Sequence, residues 1–196
     1  MVQGASARRS RKTIRIPTPD NLVNVALYYL SRFAASEASL RRALENRVRR
    51  AALAHPDFAA DEAARGALQQ VIAGIVAKHK ASGVLNDAAF AEMKVRSLRR
   101  AGRSARRITQ QLQHKGVAAA TIATALLPED DGDAEGDELQ AARAFARRRG
   151  LGPYRKKAAD ADQLRKDIAS FARAGFSYDI SRQILGASAL ELDDQD

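Results

Sequence analysis

Cysteine and tryptophan are both absent from this 196-residue chain. Without a thiol there is no disulfide framework and no thiolate metal site, which suits a reducing compartment. No apolar run approaches the roughly 18 residues that a membrane helix requires, and no apolar stretch follows the basic N-terminal residues as it would in a secretory signal. These absences predict a soluble, cytoplasmic protein with no membrane partner. The arginine-rich start also has the composition of a mitochondrial presequence, a second reading of those residues. Aromatics are only 5% of the sequence, too few for an extended base-stacking platform. Phe33, Phe90, Phe145 and Phe171 are therefore expected in the core, and Tyr154 and Tyr178, beside turns, are the exceptions.

Signals of catalysis are missing as well. His55, His79 and His114 are scattered, none in an HExxH arrangement, and there is no GxSxG, Walker or GxGxxG motif. His79, between Lys78 and Lys80, fits an exposed helix end, where it complements the negative pole of the dipole. The acidic run at 128–138 lacks the DxDxDG spacing of a calcium loop. Neither an enzyme nor a metal or cofactor site is expected.

Positive charge is what the chain has in plenty: 33 Lys and Arg against 23 Asp and Glu give a net +10, which points to a polyanionic partner. Arg8, Arg9, Arg11, Lys12 and Arg15, with no acid among them, mark residues 1–17 as a disordered basic arm. Order is expected from Thr18-Pro19-Asp20, where a hydroxyl cap, a proline without an N–H to satisfy and an acid at the positive pole together open a helix. Beyond it all periodicity is helical. Leu68, Val71, Ile72, Ile75 and Val76 recur in steps of three and four, so even "VIAGIV" belongs to an amphipathic helix. A further helix starts at Asn86 or Asp87. Glycines at 83, 102, 116, 150, 175 and 186 are expected just past helix ends. The fold class is all-α.

One frame recurs. Arg32 to Ser36, Arg100 to Ser104 and Arg173 to Ser177 each set an arginine four residues before a serine, with Ala34, Gly102 and Gly175 between; Leu44, Leu112 and Leu185 follow eight residues after the serines. Serines 68 and 73 residues apart suggest a degenerate tandem repeat of helical units. In each copy a helix would end at the small residue, the serine would cap the next, and the leucine would enter the core. Ser36, Gly102, Ser104, Gly175 and Ser177 are thus candidate structural joints.

Three stretches carry a family resemblance: "LSRFAASEASLRRAL", "GVLNDAAFAEMKVRSLRRAGRSARRITQQLQHKGV" and "FARAGFSYDISRQIL". The second, joining a Gly-x-Leu-Asn-Asp-x-x-Phe helix start to a Gly-x-x-x-x-Ile-x-x-x-Leu-x-x-Lys-Gly hairpin, is the most specific. The chain resembles the RecX regulators of bacterial RecA recombinase over most of residues 22–185. The resemblance implies an elongated, curved array of three-helix units without a catalytic site, lodged on the RecA filament over single-stranded DNA. There it would restrain recombinase, ATPase and SOS coprotease activities. The expected organisation is an arm (1–17), three helical units (18–83, 84–127, 139–187), an acidic linker (128–138) and an acidic tail (188–196). The connector "AALAHPDFAADEAARG" and the acidic run depart from the family pattern and bear on the spacing of units. Tandem units in one chain suit a monomer.

Arg96, Arg99, Arg100 and Arg103 fall at helical steps i, i+3, i+4 and i+7. Arg106, Arg107 and Lys115 continue the basic surface, and Arg147, Arg148, Lys156 and Lys157 form a second cluster. These are the candidate contacts to DNA phosphate or to an acidic RecA surface, set against the plain alternative of solvated helix faces. A different function class also fits residues 86–116: a stand-alone helix-turn-helix regulator entering the major groove, which would need polar base readers where Ala105 and Arg106 stand.

Overall fold

A computed structural model describes residues 14–128, 134–156 and 159–186. The N-terminal arm up to residue 13, residues 129–133 of the expected linker, Lys157 and the tail from 187 lie outside the described residues. Among those described, the elements are α1 (Pro19–Arg32), α2 (Glu37–Ala54), α3 (Pro56–Ala60), α4 (Glu62–Ala81), α5 (Asp87–Arg100), α6 (Ala105–His114), α7 (Ala119–Ala125), α8 (Ala134–Arg149), a 3-10 turn (Gly152–Tyr154), α9 (Ala161–Ala174) and α10 (Tyr178–Leu185), with no strand.

Short polar side chains open most of these helices, because the first backbone N–H groups of a helix have no internal acceptor. Thr18 accepts from Asn21 N at 3.2 Å, Asp61 from Ala64 N at 2.8 Å, Asn86 from Ala89 N at 3.0 Å and Asp160 from Gln163 N at 2.7 Å. The glycines expected at helix ends all have positive φ.

The chain gathers into two compact units: the first runs to Leu85 apart from residues 35–38, which belong with the second. In the first unit Leu22 and Ala26 of α1, Leu40, Leu44 and Val48 of α2 and Leu68, Ile72, Ile75 and Val76 of α4 are buried, following the three-and-four beat of the sequence. Phe33 does not join them. It follows α1 with extended backbone (φ −135°, ψ 126°), which swings its ring off the buried face and leaves it 56% exposed.

The second unit holds two cores. Phe90, Ala91, Val95, Ile108, Leu112, Val117 and Ile122 come from α5–α7. Phe145, Phe171 and Phe176, with Ala141, Ala142, Ala146, Leu151, Ile180 and Ile184, form the other around α8–α10. The three rings meet edge-on or tilted at centroid distances of 5.1–5.6 Å, an arrangement worth about 0.5–1.5 kcal/mol per pair beyond the area buried.

The joints are built from a repeated exchange of hydrogen bonds. Ser36, just before α2, donates its hydroxyl to the Lys115 carbonyl at the end of α6 at 2.6 Å, while Glu37 N donates to Asp87 Oδ1 in the first turn of α5 at 2.9 Å. Ser104, just before α6, donates to the Ala174 carbonyl at the end of α9 at 2.7 Å, while Ala105 N donates to the Glu138 carboxylate in α8 at 3.0 and 3.2 Å. Both serines are fully buried. Ser36 and Ser104 therefore play equivalent parts, each buried just before a helix and donating to the carbonyl end of another.

Ser177 is not their equivalent. It caps α10, a third helix, by accepting from Ile180 N at 3.3 Å, and it is exposed. The residue standing where Ser104 stands is Asp160, before α9. The third copy of the sequence frame is thus displaced by one helix. A small residue followed by a capping serine suits any helix-to-helix turn, so the pattern alone does not fix which turn it marks. Leu185 accordingly is only partly buried while Ile184 enters the core.

The acidic run is likewise not linker throughout: residues 134–138 form the first turn of α8, where acids complement the helix dipole and Glu138 serves the joint. Replacing Ser104 with alanine removes both its donation to Ala174 O and its acceptance from Arg107 N (3.3 Å). The expected loss is about 1–3 kcal/mol in urea unfolding, with affinity for DNA nearly unchanged.

Candidate nucleic-acid interface

Arginines four apart on a helix point the same way. In the second unit two such pairs, Arg96 and Arg100 on α5 and Arg143 and Arg147 on α8, line one groove of 1220 Å³, whose wall is completed by Leu126 and Leu127 after α7. Glu92 and Asp137 also line it, so positive charge outnumbers negative. Low-dielectric walls focus that field on whatever enters. Planar guanidinium groups can hold phosphate oxygens two at a time, a geometry that lysine does not supply. Arg143 carried no role in the sequence reading. Its spacing to Arg147 was the available signal, but only the packing of α8 on α5 gives it meaning.

Contacts within the fold occupy several of the arginines. Arg99 forms an ion pair with Glu138 in which the two side chains are 14% and 15% exposed, so this guanidinium works inside the joint although it borders the groove. Arg99→Gln should lower stability by about 1–3 kcal/mol, the worth of a charged hydrogen bond. The salt dependence of DNA binding should stay as in the parent; a reduced slope would return Arg99 to the phosphate contacts. Arg103 does not extend the α5 face. The helix ends at Arg100, the chain reverses through Gly102 at φ 71°, and Arg103 N closes the turn on Leu98 O at 3.0 Å.

Arg106, Arg107 and Lys115 are exposed along α6 and its end, outside the groove, and Arg107 donates to Gln110 Oε1 at 3.1 Å. In the second cluster, Arg148 donates to the Ala101 carbonyl at 2.7 Å, and Arg149 and Arg147 lie over the Phe145 and Tyr154 rings at 5.7 and 5.5 Å. Arg155 Nη2 holds both oxygens of the buried Asp167 at 2.7 and 2.6 Å. Lys156 is exposed. The structure thus unites Arg147 with the α5 arginines and leaves Arg148 and Lys156 apart from them.

Tyr178 is 53% exposed beneath Arg182, at 5.8 Å, while Phe90, Phe145 and Phe171 are core residues. Among the described residues no helix is long and apolar enough to cross a membrane, and no cluster of three or more His, Asp or Glu could hold a metal.

Comparison with known proteins identifies relatives of this chain. A family model described as the second three-helix domain of RecX matches residues 86–126, which span α5–α7. The regulatory protein RecX of Myxococcus xanthus (strain DK1622) is 39% identical over 92% of both chains. Its namesake in Agrobacterium fabrum (strain C58) is 36% identical over 87% of this chain and 85% of that one. A third, from Trichlorobacter lovleyi, is 32% identical over 75% and 82%. The crystal structure of RecX from Lactobacillus salivarius matches with a TM-score of 0.59 over 89% of this chain and 96% of that chain. At 23% identity that likeness concerns the fold.

Proposed function

This chain belongs to the RecX family of regulatory proteins, and from that premise we propose that it acts on the RecA filament assembled on single-stranded DNA. It restrains strand exchange, ATP hydrolysis and coprotease activity by binding, without chemistry of its own. The observation that carries this reading is the groove in which Arg96, Arg100, Arg143 and Arg147 converge from two helices. Four guanidinium groups with apolar residues between them suit a backbone of regularly spaced phosphates. No cofactor takes part, and the protein works as a cytoplasmic monomer. Sedimentation with RecA-coated single strands, compared with the same strands uncoated, is the direct test. Preferential pelleting with the filament and slower ATP hydrolysis are expected; a protein left in the supernatant with hydrolysis unaffected would remove RecA as the partner.

The alternative of a major-groove reader has less support. A recognition helix contacts bases from its N-terminal residues. At the start of α6, Ala105 N is taken by Glu138, and the Gly175 turn packs against Ser104, Arg106 and Arg107. A sequence-specific footprint on naked duplex would nonetheless favour it over the filament reading.

A further inference from the structure

The arginine groove has a candidate occupant within the chain. Residues 187–196 read ASALELDDQD, with carboxylates at Glu191, Asp193, Asp194 and Asp196 and leucines at 190 and 192. In an extended conformation Leu190 and Leu192 share one side and Glu191 and Asp193 the other. The groove offers the complement of that pattern: the apolar Leu126 and Leu127, the latter 66% exposed, and the Arg96–Arg100 and Arg143–Arg147 pairs.

The length of the chain lets the two meet. Helix α10 ends beside the turn that follows α8, where Leu185 packs so closely on Gly152 that a Cβ there would lie 2.8 Å from its Cδ2. From that turn back to Arg143 is about two and a half helical turns, roughly 14 Å at 1.5 Å per residue. Six extended residues from Gly186 to Leu192 reach about 20 Å. Tethering at this range supplies an effective concentration in the millimolar range, so modest complementarity suffices. The internal acids at 129–133, EDDGD, include no apolar side chain to meet Leu126 and Leu127.

We infer that the acidic segment 187–196 docks in the groove between α5 and α8 and competes there with nucleic-acid phosphate, making the protein autoinhibited for strand binding. The competition rests on the function proposed above; the docking does not, and the two can be tested apart.

Because the chain has no tryptophan, Leu192→Trp in the whole 196-residue chain provides an isolated reporter. Its emission should be blue-shifted in low salt, independent of protein concentration, and should move to the red when Arg143 and Arg147 are replaced by Gln or when a thymidine oligonucleotide is added. Neutralising the segment (Glu191→Gln with Asp193, Asp194 and Asp196→Asn) should tighten oligonucleotide binding about tenfold if nine molecules in ten are docked. That gain should vanish in the Arg143→Gln, Arg147→Gln background.

Emission at the solvent-exposed position, unmoved by the arginine substitutions, would overturn the docking, and so would a blue shift that grows with concentration, which would assign the segment to a second copy. A gain of equal size without the groove arginines, or one obtained instead by neutralising residues 129–133, would reduce the effect to net charge or to the other acidic run. A blue shift that depends on Arg143 and Arg147 but that no oligonucleotide reverses sustains the docking and overturns the nucleic-acid reading.

Discussion

Gly102→Ala is expected to lower the unfolding free energy by about 2–5 kcal/mol. Two terms contribute. At φ 71° the backbone is left-handed, which costs an L-residue about 1–2 kcal/mol. The new Cβ would also stand 2.6 Å from Phe145 N and 2.9 Å from Phe145 Cα, backbone atoms in the middle of α8 that cannot rotate away. Forcing α8 outward is overpacking, typically about 1–3 kcal/mol. Gly83→Ala separates the terms: φ is 75° but nothing lies within 4 Å, so only the conformational cost remains. Urea midpoints of the two variants should therefore differ. If they coincide, the close approach of α5's end to α8 contributes nothing.

Replacing Arg96, Arg100, Arg143 and Arg147 together by Gln should weaken single-strand binding about 600-fold at 0.1 M salt in a chain whose segment 187–196 is neutralised, and about 60-fold in the parent if nine molecules in ten are docked. Each phosphate contact on a single strand contributes about 0.7 to the slope of log K against log salt, hence about fivefold at that concentration. The slope itself should shrink by about 2.8 for four lost contacts. Glutamine keeps a helix propensity near that of arginine, so circular dichroism should be unchanged. Should these arginines meet an acidic protein surface instead, naked-strand affinity would survive while restraint of RecA weakened. A folded variant equal to the parent in both respects would reduce the groove to a solvated surface.

The helices were legible because their signals are local. A capping Thr18 or Asn86, a glycine after the last turn and apolar steps of three and four lie within a few residues of one another; they marked the starts of α1, α5 and α6 and the apolar face of α4, whose cap Asp61 went unread. The serine joints were half legible for the same reason: the capping role of Ser104 is local, whereas its bond to Ala174 spans 70 residues. Local resemblance also misled, placing Ser177 in the same class as Ser104. The arginine face shows the limit most clearly. Helical spacing correctly grouped Arg96 with Arg100, but it ran on through Gly102 to include Arg103. It could not reveal that Arg99 is held by Glu138, or that Arg143 comes to face the same groove. Phe33 was assigned to the core by residue type, and the extended backbone after α1 turns it out.

The joints have a direction. At one a hydroxyl hydrogen passes from Ser104 of the α5–α7 group to the Ala174 carbonyl of the α8–α10 group, and at the other Ser36 gives its hydrogen to the Lys115 carbonyl within the second unit. At the third such position stands Asp160, whose carboxylate accepts from Gln163 N and, when ionised, has no proton to give. The relay of donors therefore stops at the third group. A further module placed behind it would find no serine hydroxyl at this position to meet its own helix-end carbonyl, and Asp160→Ser would supply one.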